Sequence, residues 1–232
     1  MNSPLSNQQP IIQMKGAAKP SLEKKAYQEL RRRIINGNYL PGTLLSENEL
    51  ADELNMSRTP IRAAISLLEN EGFLETSRGR GVFVKEISLR EFHEMFEVLV
   101  SMQLYAFDMA VKRGLSFDLE ALLSHLDRQI LAAEEEDYSS YYESYLQFVE
   151  TIVSTVKNRN MLQVLEQVKG KYLFRTVSYR KMNSQTLSKP RQAKRANMQI
   201  YEALERGDIA GAKEAVYELN DLVYEQIKKF DM

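Results

Sequence analysis

Apolar residues recur every three or four positions over most of this chain, and one short stretch breaks the rhythm. The first helical pattern covers Leu22–Asn36, with Tyr27, Leu30 and Ile34 on one side, and Gly37 stands where a C-cap would. After the Pro41-Gly42 turn, Ser46 is placed to cap a second helix, with Glu49 completing a capping box. That helix buries Leu50 and Leu54 one turn apart and ends at Asn55, a residue suited to the left-handed conformation. Ser57 caps a third helix, and Pro60 sits in its first turn, where a missing N–H costs little. Ile61, Ala64, Ile65 and Leu68 fall at i, i+3, i+4 and i+7, so one face of that helix is core. Arg58 and Arg62, four apart, share a different face. The rhythm then breaks: Phe73–Thr76, the turn Ser77-Arg78-Gly79-Arg80-Gly81 and Val82–Lys85 read as strand, turn and strand.

From Ser88 onward only helical spacing appears. Leu89, Phe92, Phe96, Leu99, Val100 and Leu104 share a helix closed by Arg113-Gly114. Leu119–Glu135 is another, running into an acidic stretch (Glu134–Asp137) that reads as a solvated end. A tyrosine-rich helix holds Tyr138, Tyr141, Tyr142, Tyr145, Phe148 and Ile152. Asn158 or Asn160 caps the next, with Leu162, Leu165, Val168 and Tyr172 as its core side. Ser188-Lys189-Pro190 opens a helix through Ile200 to Leu204; Gly207-Asp208 ends it and caps the last, which buries Ala212, Ala215, Val216, Leu219 and Val223.

The fold class is therefore mainly α, in two parts. Three helices and a β-wing with arginines at its tip make residues 21–87 a winged helix-turn-helix, a DNA-reading outline. Residues 88–232 make an antiparallel bundle of about six helices. Residues 1–20 form a polar, Gln- and Pro-containing lead expected to be mobile or loosely docked.

Composition narrows the function. The formal net charge is −1, and residues 21–87 hold ten Lys/Arg against ten Asp/Glu. Attraction to nucleic acid must then rest on where charges point, not on their sum. The chain has no cysteine, hence no disulfide, thiolate nucleophile or sulfur metal site. No apolar span of transmembrane length or signal-peptide start is visible, so a soluble, cytoplasmic protein without membrane attachment is expected. An enzyme is disfavoured by two scattered histidines (His93, His125), no phosphate-cradling glycine loop and no acid–histidine pairing.

The segments Gly37-Asn38-Tyr39-Leu40-Pro41-Gly42-Thr43-Leu44-Leu45-Ser46-Glu47, Leu50-Ala51, Ser57-Arg58-Thr59-Pro60-Ile61-Arg62 and Leu68-Glu69-Asn70-Glu71-Gly72 resemble the gluconate-repressor-type (GntR) transcription regulators. The resemblance implies that Arg58 and Arg62 reach the major groove. It places Ser46, Asn48, Ser57 and Thr59 at backbone or base contacts, and Arg78, Gly79 and Arg80 along or in the minor groove. Some relatives carry arginine where this chain has Asn48; asparagine reads adenine and arginine reads guanine, so the preferred sequence should differ there.

The helical half resembles the ligand-binding, dimerising C-terminal (FCD-type) domain of the FadR subfamily. The carrying residues are Met95-Phe96-Glu97-Val98, the Phe148…Asn158 spacing, and Tyr201–Asp208 with Ala210, Ala212 and Ala215. Most such relatives hold a divalent metal with one Asp and three His. The positions here are Tyr145, Val149, Asn197 and Leu219, none a strong ligand, so no metal cofactor is expected. Leu99 replaces the arginine that can pair with a carboxylate effector. These five positions become either an apolar effector pocket with a few neutral polar groups or a packed core.

The resemblance implies a homodimer on a palindromic double-stranded DNA operator, with affinity altered by a small-molecule effector. A helical domain that only dimerises and binds nothing is the alternative.

Overall fold

The computed structural model describes residues 21–77, 80–183 and 190–228. Among these residues are nine helices and one three-stranded sheet. The winged part contains α1 (Leu22–Ile35), β1 (Leu44–Leu45), α2 (Glu47–Glu53), α3 (Arg58–Asn70), β2 (Leu74–Ser77) and β3 (Gly81–Val84). Ala26, Leu30, Ile34 and Ile35 of α1 meet Ile61, Ala64, Ile65 and Leu68 of α3 in a closed core. The α3 row is the one the periodicity predicts, whereas on α1 Tyr27 is only half-buried and Ala26 and Ile35 join Leu30 and Ile34. Two glycine- or asparagine-type punctuation points act as expected. Asn55 is left-handed (φ 49°) between α2 and α3. Gly37 (φ 66°) follows α1, where its N–H reaches Ile34 O at 2.9 Å.

The hairpin forms, with Leu74 opposite Val84 and Ser77 opposite Gly81. Ser77 and Gly81, read as turn residues, pair as the last and first residues of its strands, and Phe73 and Lys85 fall outside them. A third strand was not foreseen: Leu44 and Leu45 pair antiparallel with Phe83 and Val82, giving the order β1-β3-β2. Two residues are too short to show an alternating pattern. The turn residues Arg78 and Gly79 lie outside the described residues, as do Ser188 and Lys189.

The helical part contains α4 (Leu89–Arg113), α5 (Leu119–Glu134), α6 (Tyr138–Ser154), α7 (Arg159–Met182), α8 (Gln192–Glu205) and α9 (Ile209–Lys228). Asn158 is the N-cap of α7, its Oδ1 accepting from Asn160 N and Met161 N, and Ser88 with Glu91 forms the capping box of α4. Phe96, Leu99, Leu122, Tyr145, Phe148, Val149, Leu165, Tyr172, Ile200, Ala212 and Leu219 share one core. Among the described residues no helix is long and apolar enough to cross a membrane.

The two halves also share a wall, which the division at residues 87 and 88 did not anticipate. Phe174 of α7 is fully buried in the winged-helix core, edge-on to Phe73 at 5.9 Å between ring centroids. A Cβ added at Gly170 would collide with the Arg31 guanidinium, which is pinned by Glu71 (3.0 Å) and lies over Phe73. One turn past the buried row, Lys181 Nζ donates to Asn36 O (2.6 Å) and Gly37 O (3.2 Å). A cation thereby meets the negative end of α1.

Candidate nucleic-acid interface

The reader is set by two N-termini. Ser46 Oγ accepts from Glu49 N at 3.4 Å and starts α2; this is one half of the capping box the sequence suggested. Ser57 stands at the N-cap of α3, but its hydroxyl makes no capping bond. Ile61, Ala64, Ile65 and Leu68 turn inward, and Arg58 and Arg62, beside that row at the start of the helix, stand outward. Their side chains are 55% and 60% exposed. Ser57, Thr59 and Asn48 are exposed beside them, while Ser46 is half-buried.

The two arginines converge on a residue that the sequence reading passed over. Glu47, first residue of α2, accepts Arg58 Nη2 at 3.0 Å and Arg62 Nε at 2.7 Å, both on Oε2. Hydrogen bonding from Arg62, then Arg58, holds the Glu47 carboxyl below its ordinary range despite the opposing cost of burial. The signal lay in the sequence as an acid at a helix start, which reads first as a favourable partner for the helix dipole.

Charge elsewhere in the winged part is largely spent internally. Arg32 and Arg33 hold Glu29, Arg33 also reaches Glu53 at 2.5 Å, and Arg31 holds Glu71. The cluster Arg31–Arg33 on α1 is therefore matched by carboxylates, while Lys24, Lys25, Arg58 and Arg62 are exposed cations of the winged part, the last two sharing Glu47. Arg80 on the wing is exposed.

In the helical half, the five positions singled out are all interior. Leu99 and Val149 are 0% exposed, Tyr145 and Asn197 1%, and Leu219 7%. Asn197 Nδ2 donates to Gln129 Oε1 at 2.9 Å. Tyr145 Oη and Asn197 Oδ1 are buried without a hydrogen-bond partner. Burial, helped by nearby Tyr141, pushes the Tyr145 phenol well above its ordinary range, so it stays neutral. A neutral phenol, an amide and two aliphatic side chains do not fit the donor set of a divalent ion. Among the described residues no group of three or more His, Cys, Asp or Glu could hold a metal. The two histidines sit apart from this core. The rings of His93 and Tyr224 are tilted by 35° with centroids 5.2 Å apart, and His125 Nδ1 lies 2.6 Å from Arg128 Nη2.

Comparison with known proteins agrees with both halves. A model of bacterial regulatory proteins of the gntR family matches residues 22–84, and a model of the FCD domain matches residues 94–221. The chain is similar to the gluconate operon transcriptional repressor of Bacillus licheniformis, 32% identical over 144 residues covering 61% of this chain and 58% of the repressor. Over this and two further Bacillus regulators, the match spans about three fifths of the relative's length. The fold is similar to that of a GntR transcriptional regulator from Rhodococcus sp. RHA1, with TM-score 0.76, 20% identity and coverage of 89% of this chain and 97% of that one. It is also similar to McbR/YncC of E. coli, with TM-score 0.72, 20% identity and coverage of 92% and 100%. With more than a quarter of its length fitting the one model and more than half fitting the other, the chain belongs to the gntR family of bacterial regulatory proteins, in the branch that carries an FCD domain.

Proposed function

We propose that this chain is a homodimeric, sequence-specific DNA-binding transcription regulator of the FadR type, cytoplasmic, whose helical half takes a small neutral effector. One observation carries the DNA reading: Arg58 and Arg62 stand exposed at the start of α3 beside its buried row, flanked by exposed Asn48, Ser57 and Thr59. Two guanidinium forks at the start of a helix suit guanine edges in the major groove, and Asn48 suits adenine. Arg80, with Arg78 and Gly79 beside it in sequence, would follow the phosphates or the minor groove. A single α3 covers too few base pairs for specificity, so two copies on a palindrome are required.

The effector reading rests on Tyr145 Oη and Asn197 Oδ1. Most buried polar groups find a partner, and a pair that does not calls for one supplied from outside. The matching ligand is uncharged, apolar over most of its surface, and offers a donor to Asn197. A second reading, a bundle that only dimerises, draws on the near-complete burial of Leu99, Tyr145, Val149 and Asn197.

Selection of duplexes from a randomised library by the full chain tests the first part. An enriched palindrome is expected, and a library left unenriched refutes the reading. Sedimentation of the same protein at micromolar concentration should give a dimer. A thermal-shift screen of uncharged metabolites tests the effector, since a ligand at a hundred times its Kd stabilises by about 2.7 kcal/mol.

A further inference from the structure

Glu47 lies in the middle of the proposed reader, yet its charge is the wrong one for contacting DNA. It sits on the first turn of α2, 27% exposed, with one oxygen shared by Arg58 Nη2 and Arg62 Nε. A guanidinium has five N–H donors in a rigid fork. When Arg62 spends its Nε–H on Glu47, the two terminal nitrogens remain as a complete pair. Guanine presents two acceptors, O6 and N7, that such a pair meets together. Glu47 therefore holds Arg62 by its inner nitrogen and leaves its outer edge free. The same carboxylate offsets one of the two positive charges, which weakens attraction to phosphate of any sequence.

We propose that Glu47 is a positioning residue of the DNA reader, which orients Arg62 and Arg58 for base contact and suppresses sequence-blind binding. This rests on the reading that Arg58 and Arg62 contact DNA. The two effects have opposite signs: removing the carboxylate weakens binding to the preferred duplex and strengthens binding to any other. A residue that merely supported the fold would move both affinities the same way.

The test uses the full chain and two labelled duplexes, one enriched from a randomised library by the unmodified protein and one with that sequence scrambled. Fluorescence anisotropy titrations compare the unmodified chain with Glu47→Gln, Glu47→Asp and Arg62→Ala. Glu47→Gln should lower the ratio of preferred to scrambled affinity about tenfold, within the range a bidentate base contact controls. Its scrambled-duplex affinity should rise, with a salt dependence steeper by up to about one phosphate. Glu47→Asp keeps the charge but withdraws the oxygen, so it should lose preference without gaining scrambled-duplex affinity. Libraries re-selected by Glu47→Gln should relax at the positions that Arg62→Ala relaxes.

If both Glu47 variants keep the original ratio, Glu47 does not position the arginines. If Glu47→Gln instead relaxes a position that Arg62→Ala leaves intact, the carboxylate reads a base itself, and that also overturns the proposal. Failure of the unmodified protein to enrich any sequence would overturn the DNA reading, and this proposal with it. Enrichment by the unmodified protein with unchanged variants overturns the Glu47 role alone.

Discussion

Phe174→Ala is expected to destabilise the winged half although the residue belongs to α7. The ring is fully buried among Ala26, Leu30, Phe73 and Leu74 and stands edge-on to Phe73. Truncating a buried phenylalanine to alanine costs about 3–5 kcal/mol through lost transfer energy and the cavity left behind. About 0.5–1.5 kcal/mol of that belongs to the ring pair. A domain's whole stability is about 5–15 kcal/mol, so this one change should remove a large share. Urea unfolding followed by circular dichroism reads it directly. With a slope of about 2–3 kcal/mol per molar, the midpoint should fall by about 1–2.5 M. Phe174→Leu, which keeps most of the volume but loses the ring pair, should cost clearly less than Phe174→Ala. A loss below about 1 kcal/mol for Phe174→Ala would refute the shared core and make the contact of the two halves a loose one.

Three shorter expectations follow from the same geometry. Glu29 accepts from Arg32 and Arg33, and these hydrogen bonds, Arg32 first, hold its carboxyl at about 2 against an ordinary value of 4.5. Since the folded value is the lower one, its stabilisation is present above about pH 4.5 and lost as pH falls through about 2. The pair is partly exposed, so Glu29→Gln should cost under about 1 kcal/mol at neutral pH; urea midpoints of the two proteins should converge in acid, and a constant gap would contradict the assignment. Tyr145→Phe removes a buried hydroxyl that has no partner, so the unliganded protein should be unchanged or up to about 1 kcal/mol more stable. A clear loss of thermal stability would mean that the hydroxyl is bonded. Protein purified without chelator should carry no stoichiometric zinc, nickel or manganese by elemental analysis, because Tyr145, Val149, Asn197 and Leu219 supply no anionic oxygen or imidazole; one tight ion per subunit would overturn that.

What could be read from sequence was local. The i, i+3, i+4, i+7 row of α3 identified its buried face, and the four-residue spacing of Arg58 and Arg62 marked a second face that they share. Asn55 and Gly37 marked turns because few residues tolerate positive φ. The misses are contacts between segments distant in sequence. β1 is a two-residue strand that exists only because β3 lies beside it. Phe174 falls outside the Leu162, Leu165, Val168 and Tyr172 stripe of α7, and only the fold shows that another domain waits on that second face. Glu47 pairs with arginines 11 and 15 positions away across the tight turn between α2 and α3. Periodicity carries no information about such cross-turn pairs. The Tyr145 and Asn197 positions were legible as interior, whereas their unpartnered atoms were not.

In the proposed mode of binding, α3 reads bases and the wing holds the backbone. It is tested most directly by titrating the enriched duplex, and versions of it altered one base pair at a time, with the unmodified chain, Arg62→Ala and Arg80→Ala at two salt concentrations. Arg62→Ala should cost about 1–3 kcal/mol on the preferred duplex and erase the preference at one position per half-site. Arg80→Ala should weaken every duplex alike and flatten the salt dependence by about one phosphate. Equal, sequence-blind losses from both substitutions would contradict the account.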